Sequence, residues 1–304
     1  EDHRSLSGLP GGAAAFAVSR LVAAEDPLDD PPLALPLLVV VPDGIEQFIA
    51  ELSFHLRILG AAASVLPLPG DDVRSFAGLS PHPDIPRQRL VALSALLESE
   101  PVVVVASARA LMHRVLSQET LLEHRLDLGL GDVIERQALL TTLSRWGYLT
   151  TAAVEEVGCV SARGETVDVW PTGEAAPIRL LFFDDEIEEI RRLDPSGRRR
   201  SEPIDEVRML TAREALISDA ALSRASEQTA LAVDEMGDGH ALRRRVLTEL
   251  KAGLWFPGAE DYLPALHALV EPLSLVERVV AVSYTHLTLP TKRWVVLSGG
   301  GGAG

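Results

Sequence analysis

The sequence predicts an α/β fold: a doubly wound parallel sheet with a degenerate phosphate loop, interrupted by an inserted α+β subdomain with an antiparallel sheet. Three observations predict it. The runs LPLLVVV (35–41) and PVVVV (101–105) are apolar throughout, as strands covered on both faces are. Segments of helical period alternate with them up to residue 122. After Gly147 the period becomes two, the mark of a sheet with one face in the core and one in water.

Residues 1–12 end in GLPGG and read as a lead-in to an alanine-rich helix over 13–24. A Pro/Asp linker precedes the strand 35–41, which Pro42 and Gly44 stop, with Asp43 placed to cap the next helix. Ile45, Phe48, Ile49, Leu52, Leu56 and Leu59 mark one face of that amphipathic helix, and Gly60 ends it. Residues 64–68 predict a strand, 87–98 a helix, 101–105 a strand, and 107–122 a helix broken near Ser117. Next come a short strand over 126–130 and a helix over 132–146 capped by Asp132. GETVDVWP and APIRLLFF are strand-length and joined by a turn at 171–173. The stretch from there to 210 reads as two strands around a turn at 194–197. From Thr211 the chain is mostly helical, with a last strand over 275–282.

Composition narrows the function. The 304 residues carry a net charge of -16, so non-specific binding to a phosphate backbone is a poor expectation. The single cysteine, Cys159, excludes an internal disulfide framework and a multi-cysteine zinc site and suits a reducing cytoplasm. The N-terminus shows no secretory pattern, and the longest apolar run contains Pro36 and is too short to span a bilayer. A cytoplasmic protein without a membrane partner is expected.

Catalytic and cofactor motifs are weak. GLPGGAAAF lies where a phosphate loop would, but residues 12–15 are Gly-Ala-Ala-Ala, without the lysine and hydroxyl that phosphate and Mg²⁺ need. His82 and Asp84 lack a third ligand at suitable spacing, and His55 falls near an apolar stripe that assigns it to packing. No G-x-S-x-G elbow occurs, DDEIEE (184–189) reads as solvated, and nothing beside Cys159 would activate its thiol. The run Arg198, Arg199, Arg200 reads as a solvated hairpin end. No catalytic residue, metal ligand or cofactor is therefore assigned.

The stretch 154–188 differs. In the strand 177–183, Ile178, Leu180 and Phe182 share one face, and Arg179, Leu181 and Phe183 share the other. If the first face is core, Arg179 and Phe183 point outward, roughly 13 Å apart at about 3.3 Å per residue. An exposed Arg–Leu–Phe row has the composition of a protein interface. The alternative is a sheet buried on both faces, with Arg179 in a structural ion pair.

Several pieces carry a family resemblance: SPHPDI (80–85), PVVVVASARALMHRV, GYLTTAAVEEVGCVSARGETVDVWPTG, PIRLLFFDDEIEEIRRLDP and LKAGLWFPGAEDYLPALHALVEPL. Together they resemble the N-terminal UvrB-homology region of bacterial transcription-repair coupling factors, over about residues 8–281. UvrB-type damage-recognition proteins share part of this pattern but have an intact phosphate loop and a tyrosine-rich hairpin. The corresponding region here, about 70–86, offers Phe76 and no tyrosine. The resemblance implies a non-catalytic adaptor that binds UvrA through Arg163, Arg179 and Phe183 and recruits it for nucleotide excision repair. It further implies an intact parent that uses ATP and Mg²⁺ in a separate motor to translocate on double-stranded DNA and displace RNA polymerase. One departure is Gly158-Cys159-Val160, where the family reads Gly-Glu-aromatic. The alternative function is a UvrB-type protein that loads on DNA with nucleotide.

The expected division is 1–124 for the first part of the UvrB-like α/β domain, 125–209 for the UvrA-binding subdomain and 210–281 for a truncated second part. Residues 282–304 begin VSYTHLTLPT and close in SGGGGAG. They resemble a translated sequencing adapter followed by low-complexity sequence, and are expected to be foreign to the fold.

Overall fold

The run LLVVV forms β2 (Leu37–Val41), and every one of its five residues is buried. A strand with no polar position can sit only where both faces are covered. In this computed structural model it lies inside a six-stranded sheet with β1 (Arg4–Ser7), β3 (Ser64–Leu68), β4 (Val102–Ser107), β15 (Val279–Ser283) and β16 (Trp294–Ser298). The order is β1-β16-β15-β2-β4-β3, and every pairing is parallel. The structure describes residues 4–7, 12–23, 35–42, 44–74, 77–98, 101–194, 201–216, 218, 220–225, 227–228, 248, 256–275, 279–283 and 294–298. Asp43, Phe76, residues 8–11 and the arginines 198–200 lie outside these.

The chain divides into two compact units, one of residues 1–71, 91–118 and 269–304, the other of 72–90 and 119–268. In the first, α1 (Ala13–Ala23) and α2 (Ile45–Ile58) pack Ala15, Val18, Phe48, Leu52 and Leu56 against Leu37, Val39, Val41, Val103 and Val105. The predicted stripe of α2 is the buried one, and Gly60 ends the helix at φ 68°. His55 packs edge-on between Phe16 and Phe54.

The helix expected over 107–122 is replaced by shorter elements. Ser107 Oγ accepts the Ala110 N–H and caps a single 3₁₀ turn, Ala110–Met112. Buried Val115–Leu116 (β5) pairs with Leu269–Val270 (β14), and the short helix α4 (Gln118–Glu123) comes after it. Here a long-range pairing overrides local period. Residues 294–298, expected to be foreign to the fold, lie in the sheet between β15 and β1. Trp-Val-Val-Leu is strand-prone whatever its origin.

The second unit is built on a sheet of β7 (Leu149–Thr150), β8 (Cys159–Arg163), β9 (Thr166–Val169), β10 (Ile178–Phe183), β11 (Glu186–Arg192) and β12 (Glu202–Pro203). Its order is β12-β11-β10-β9-β8-β7, antiparallel except for the short β7–β8 pair. One face packs Val160, Val167, Val169, Ile178, Leu180, Phe182, Ile187 and Ile190 against Leu139 and Leu143 of α5 (Arg136–Arg145) and against Leu128, Val207 and Met209. The last three lie on β6 (Arg125–Gly129) and β13 (Glu206–Leu210), which pair with each other.

Two helix boundaries differ from expectation. α3 (Asp84–Leu96) starts at Asp84, with Pro86 in its first turn, where a missing N–H costs nothing. α5 starts at Arg136 rather than 132, because Asp132 does not cap it. Asp132 Oδ2 instead accepts the Gly129 N–H at 2.6 Å, and the next residue, Val133, bridges to Glu186. Most of the helical run expected over 241–253 lies outside the described residues. The last predicted strand is β15, preceded by a 3₁₀ turn at Pro272–Leu275.

Candidate protein-docking surface

Two tight hairpins build the surface. Arg163 pairs with Thr166 across the turn Gly164-Glu165, and Gly164 takes φ 57°, where a side chain would be strained. Phe183 pairs with Glu186 across Asp184-Asp185, with Asp184 at φ 57°, a conformation that Asp tolerates. The Phe182 N–H donates to Glu165 O at 2.8 Å and ties the two hairpin ends together. Arg163 and Phe183 therefore stand at the same end of the sheet.

β10 alternates as the side-chain period requires. Ile178, Leu180 and Phe182 are buried, Arg179 and Phe183 exposed, and Leu181 half-buried. Phe183 is 66% exposed, against 2% for Phe182. The register shifts opposite Leu181 and Phe182, and this irregularity lets Ile187 and Ile190, three positions apart, both face the core.

Arg179 lies across the wet face. Its Nε and Nη2 donate to Asp168 Oδ1 and Oδ2, each at 2.7 Å, and this fork holds the guanidinium further into its charged form. The two readings of this strand thus each contribute: the face is open, and its arginine is paired. Register sets Ser161, Asp168, Arg179 and Arg191 in one row, and Arg163, Thr166, Leu181 and Glu189 in the next. Arg163 Nη2 donates to Ala152 O. Arg163, Asp168, Arg179, Val154 and Leu193 line an open hollow of ≈ 380 Å³. Of the three residues singled out from sequence, Arg163 and Arg179 thus share one hollow. Phe183 stands outside it, on the same strand and face as Arg179.

Asp168 was not singled out from sequence. Its signal was present: in TVDV it shares the wet face with Thr166, opposite the arginine strand. The departure at 158–160 also has a structural setting. Gly158 sits at φ 82° with the Arg87 guanidinium over it, so that a Cβ would lie 2.5 Å from Arg87 Nη2, and Val160 is buried in the core.

The remaining candidates stand apart. Cys159 is a buried free thiol. His82 Nδ1 lies 3.6 Å from Asp84, and among the described residues no group of three His, Cys, Asp or Glu is placed to hold a metal ion. Glu189 is paired with Arg191 at the surface. Sequence reasoning missed a buried polar group in the second unit. Arg89 Nε donates to Glu214 at 3.0 and 3.1 Å, and His124 packs edge-on against His267. Burial lowers the pKa of both histidines, that of His267 to about 4. Arg89 and Glu214 are 125 positions apart, so no local pattern announces them.

This geometry, a one-sided sheet presenting arginines and an aromatic on rigid hairpins, has the composition of a protein-docking surface. Residues 126–214 match the family model of the UvrB interaction domain. The chain is 33% identical to the transcription-repair-coupling factor of Myxococcus xanthus over 262 residues, 84% of this chain and 21% of that one. It is 30% identical to that of Escherichia coli K12 over 73% of this chain and 18% of that one. It is also 26% identical to UvrABC system protein B of Thermotoga maritima over 69% of this chain and 34% of that one. The chain is a UvrB-homology region of the transcription-repair coupling factor family. It spans about a fifth of the length of the coupling factors it matches. Among the described residues no helix is long and apolar enough to cross a membrane.

Proposed function

We propose that this chain is a non-catalytic adaptor that binds UvrA and brings it to stalled transcription complexes for nucleotide excision repair. The observation that carries the reading is the wet face of β10, which presents Arg179 and Phe183 beside Arg163 on a sheet whose other face is core. Arg163 and Arg179 meet acidic or carbonyl groups of the partner, and Phe183 fills an apolar pocket. Truncating central residues of this kind typically costs about 2 kcal/mol or more each. Alanine at Arg163, Arg179 or Phe183 is expected to abolish UvrA pull-down with circular dichroism unchanged. UvrA binding that survives all three substitutions overturns the assignment.

In this reading the parallel sheet of the first unit is a doubly wound sheet whose phosphate loop has degenerated, since residues 12–15 offer neither lysine nor hydroxyl. The UvrA-binding subdomain is 125–209, and no cofactor is used. ATP hydrolysis, movement on double-stranded DNA and contact with RNA polymerase belong to other parts of the parent, which works in the cytoplasm. The similarity to UvrABC system protein B favours one rival, nucleotide-dependent loading on DNA. Calorimetry with ATP separates the two: heat of binding by this chain supports the rival, and none supports the adaptor.

A further inference from the structure

We propose that the docking surface continues from Phe183 onto the loop 130–133, where Val133 is a second apolar anchor for the same partner. This rests on the docking role proposed for β10. Val133 forms an antiparallel bridge with Glu186, and Glu186 is the residue paired with Phe183. Directly paired residues put their side chains on the same side of a sheet, so Phe183, Glu186 and Val133 form one row. At about 4.8 Å per strand, the two apolar residues stand roughly 10 Å apart with one carboxylate between them.

Val133 is 76% exposed, more than Phe183 at 66%, and Leu130 of the same loop is 55% exposed. Exposure of this kind is common on mobile loops, but this loop is pinned at every step. The Leu130 N–H donates to Asp205 O at 2.9 Å and the Gly131 N–H to Ile187 O at 2.8 Å. The Ile187 N–H donates to Asp132 O at 2.9 Å and the Ile134 N–H to Asp185 O at 2.8 Å. Asp132 spends its carboxylate on the Gly129 N–H instead of capping α5. The loop thus serves as a short extra strand beside the start of β11, and it holds an apolar side chain in water at fixed geometry. An apolar side chain pre-ordered in this way loses little entropy on binding.

Charge specifies the matching surface. Arg163 on β8 and Arg179 on β10 lie toward one side of the face, and the exposed Asp184, Glu186 and Glu188 lie at the β10–β11 hairpin and along β11, beside the Phe183–Val133 row. The partner that fits is a protein whose patch is acidic opposite the arginines and basic opposite these carboxylates, with an apolar pocket between, two residues wide.

The test is calorimetry of UvrA with the 304-residue chain and its Val133→Ser, Val133→Leu, Arg179→Ala and Phe183→Ala variants, each checked for an unchanged thermal transition. Burial of one valine predicts roughly tenfold weaker binding for Val133→Ser, and affinity retained for Val133→Leu. If Arg179→Ala and Phe183→Ala weaken binding while Val133→Ser stays within about twofold, the second anchor is overturned and the docking face stands. If the unaltered chain does not bind UvrA, both fall.

Discussion

β2 and β10 are both central strands of six-stranded sheets, yet they bury their residues differently. All of β2 is buried, whereas β10 alternates between buried and exposed. The difference follows from what covers each sheet. A valine-rich parallel strand needs cover on both faces and has no side chain to offer a partner. The antiparallel sheet covers one face with α5, β6 and β13 and leaves the other for Arg179, Asp168 and Phe183. The docking role proposed for β10 therefore rests on the unit whose sheet is one-sided.

The sharpest test of that contrast uses two neighbouring residues of the same type. Phe182→Ala removes a fully buried ring and is expected to cost about 3–5 kcal/mol of stability. Phe183→Ala, one position on, should stay within about 0.5 kcal/mol. In β2 no such asymmetry is expected: Val39→Ala and Val40→Ala should each cost about 2 kcal/mol. Urea denaturation of the four variants measures this, and a costly Phe183→Ala would break the comparison. Glu214→Ala belongs with the largest effects, about 3–5 kcal/mol, because it leaves the Arg89 guanidinium buried without its carboxylate.

A pH dependence should arise from two buried histidines of the second unit. His124 and His267 are held neutral by burial, with folded-state pKa values below the ordinary 6.5 and that of His267 at about 4. Between those values the unfolded chain binds more protons than the folded one. Stability is then complete above pH 6.5 and is lost as pH falls toward 4, by about 3 kcal/mol for a shift of this size. Denaturation midpoints at pH 7 and 5 should differ, and His267→Gln should flatten the difference.

Much of this is legible in the sequence. The all-apolar runs marked the parallel strands, and the alternation in IRLLFF marked its buried and wet faces, because side-chain period depends on local geometry alone. What failed depended on distant partners. Val115 and Leu116 read as helix until Leu269 and Val270 are seen to pair with them. Asp132 reads as a cap until the loop is seen to bridge to Glu186. Ile187 and Ile190 break the strand period because the register shifts, and Arg89 meets Glu214 across 125 positions. On the wet face of β10, the exposure of Arg179 and Phe183 was legible and the fork between Arg179 and Asp168 was not, although the register of β9 and β10 dictates it.

That fork supplies the smallest and most discriminating prediction. Arg179–Asp168 and Arg89–Glu214 are the same chemical pair, each with two nitrogens on a carboxylate. Their side chains are 46% and 22% exposed in the first and 9% and 3% in the second. In water the carboxylate's loss leaves a guanidinium that solvent can satisfy, so Asp168→Ala should cost under about 1 kcal/mol. Added salt of about 1 M should shrink even that difference, since the pair is partly exposed and the Debye length then falls to about 3 Å. Urea denaturation at low and high salt, with Glu214→Ala beside it, measures both pairs on one scale. A loss for Asp168→Ala equal to that for Glu214→Ala would mean that the arginine face is part of the structure's support, and the contrast between a covered sheet and an open one would fail at the strand that defines it.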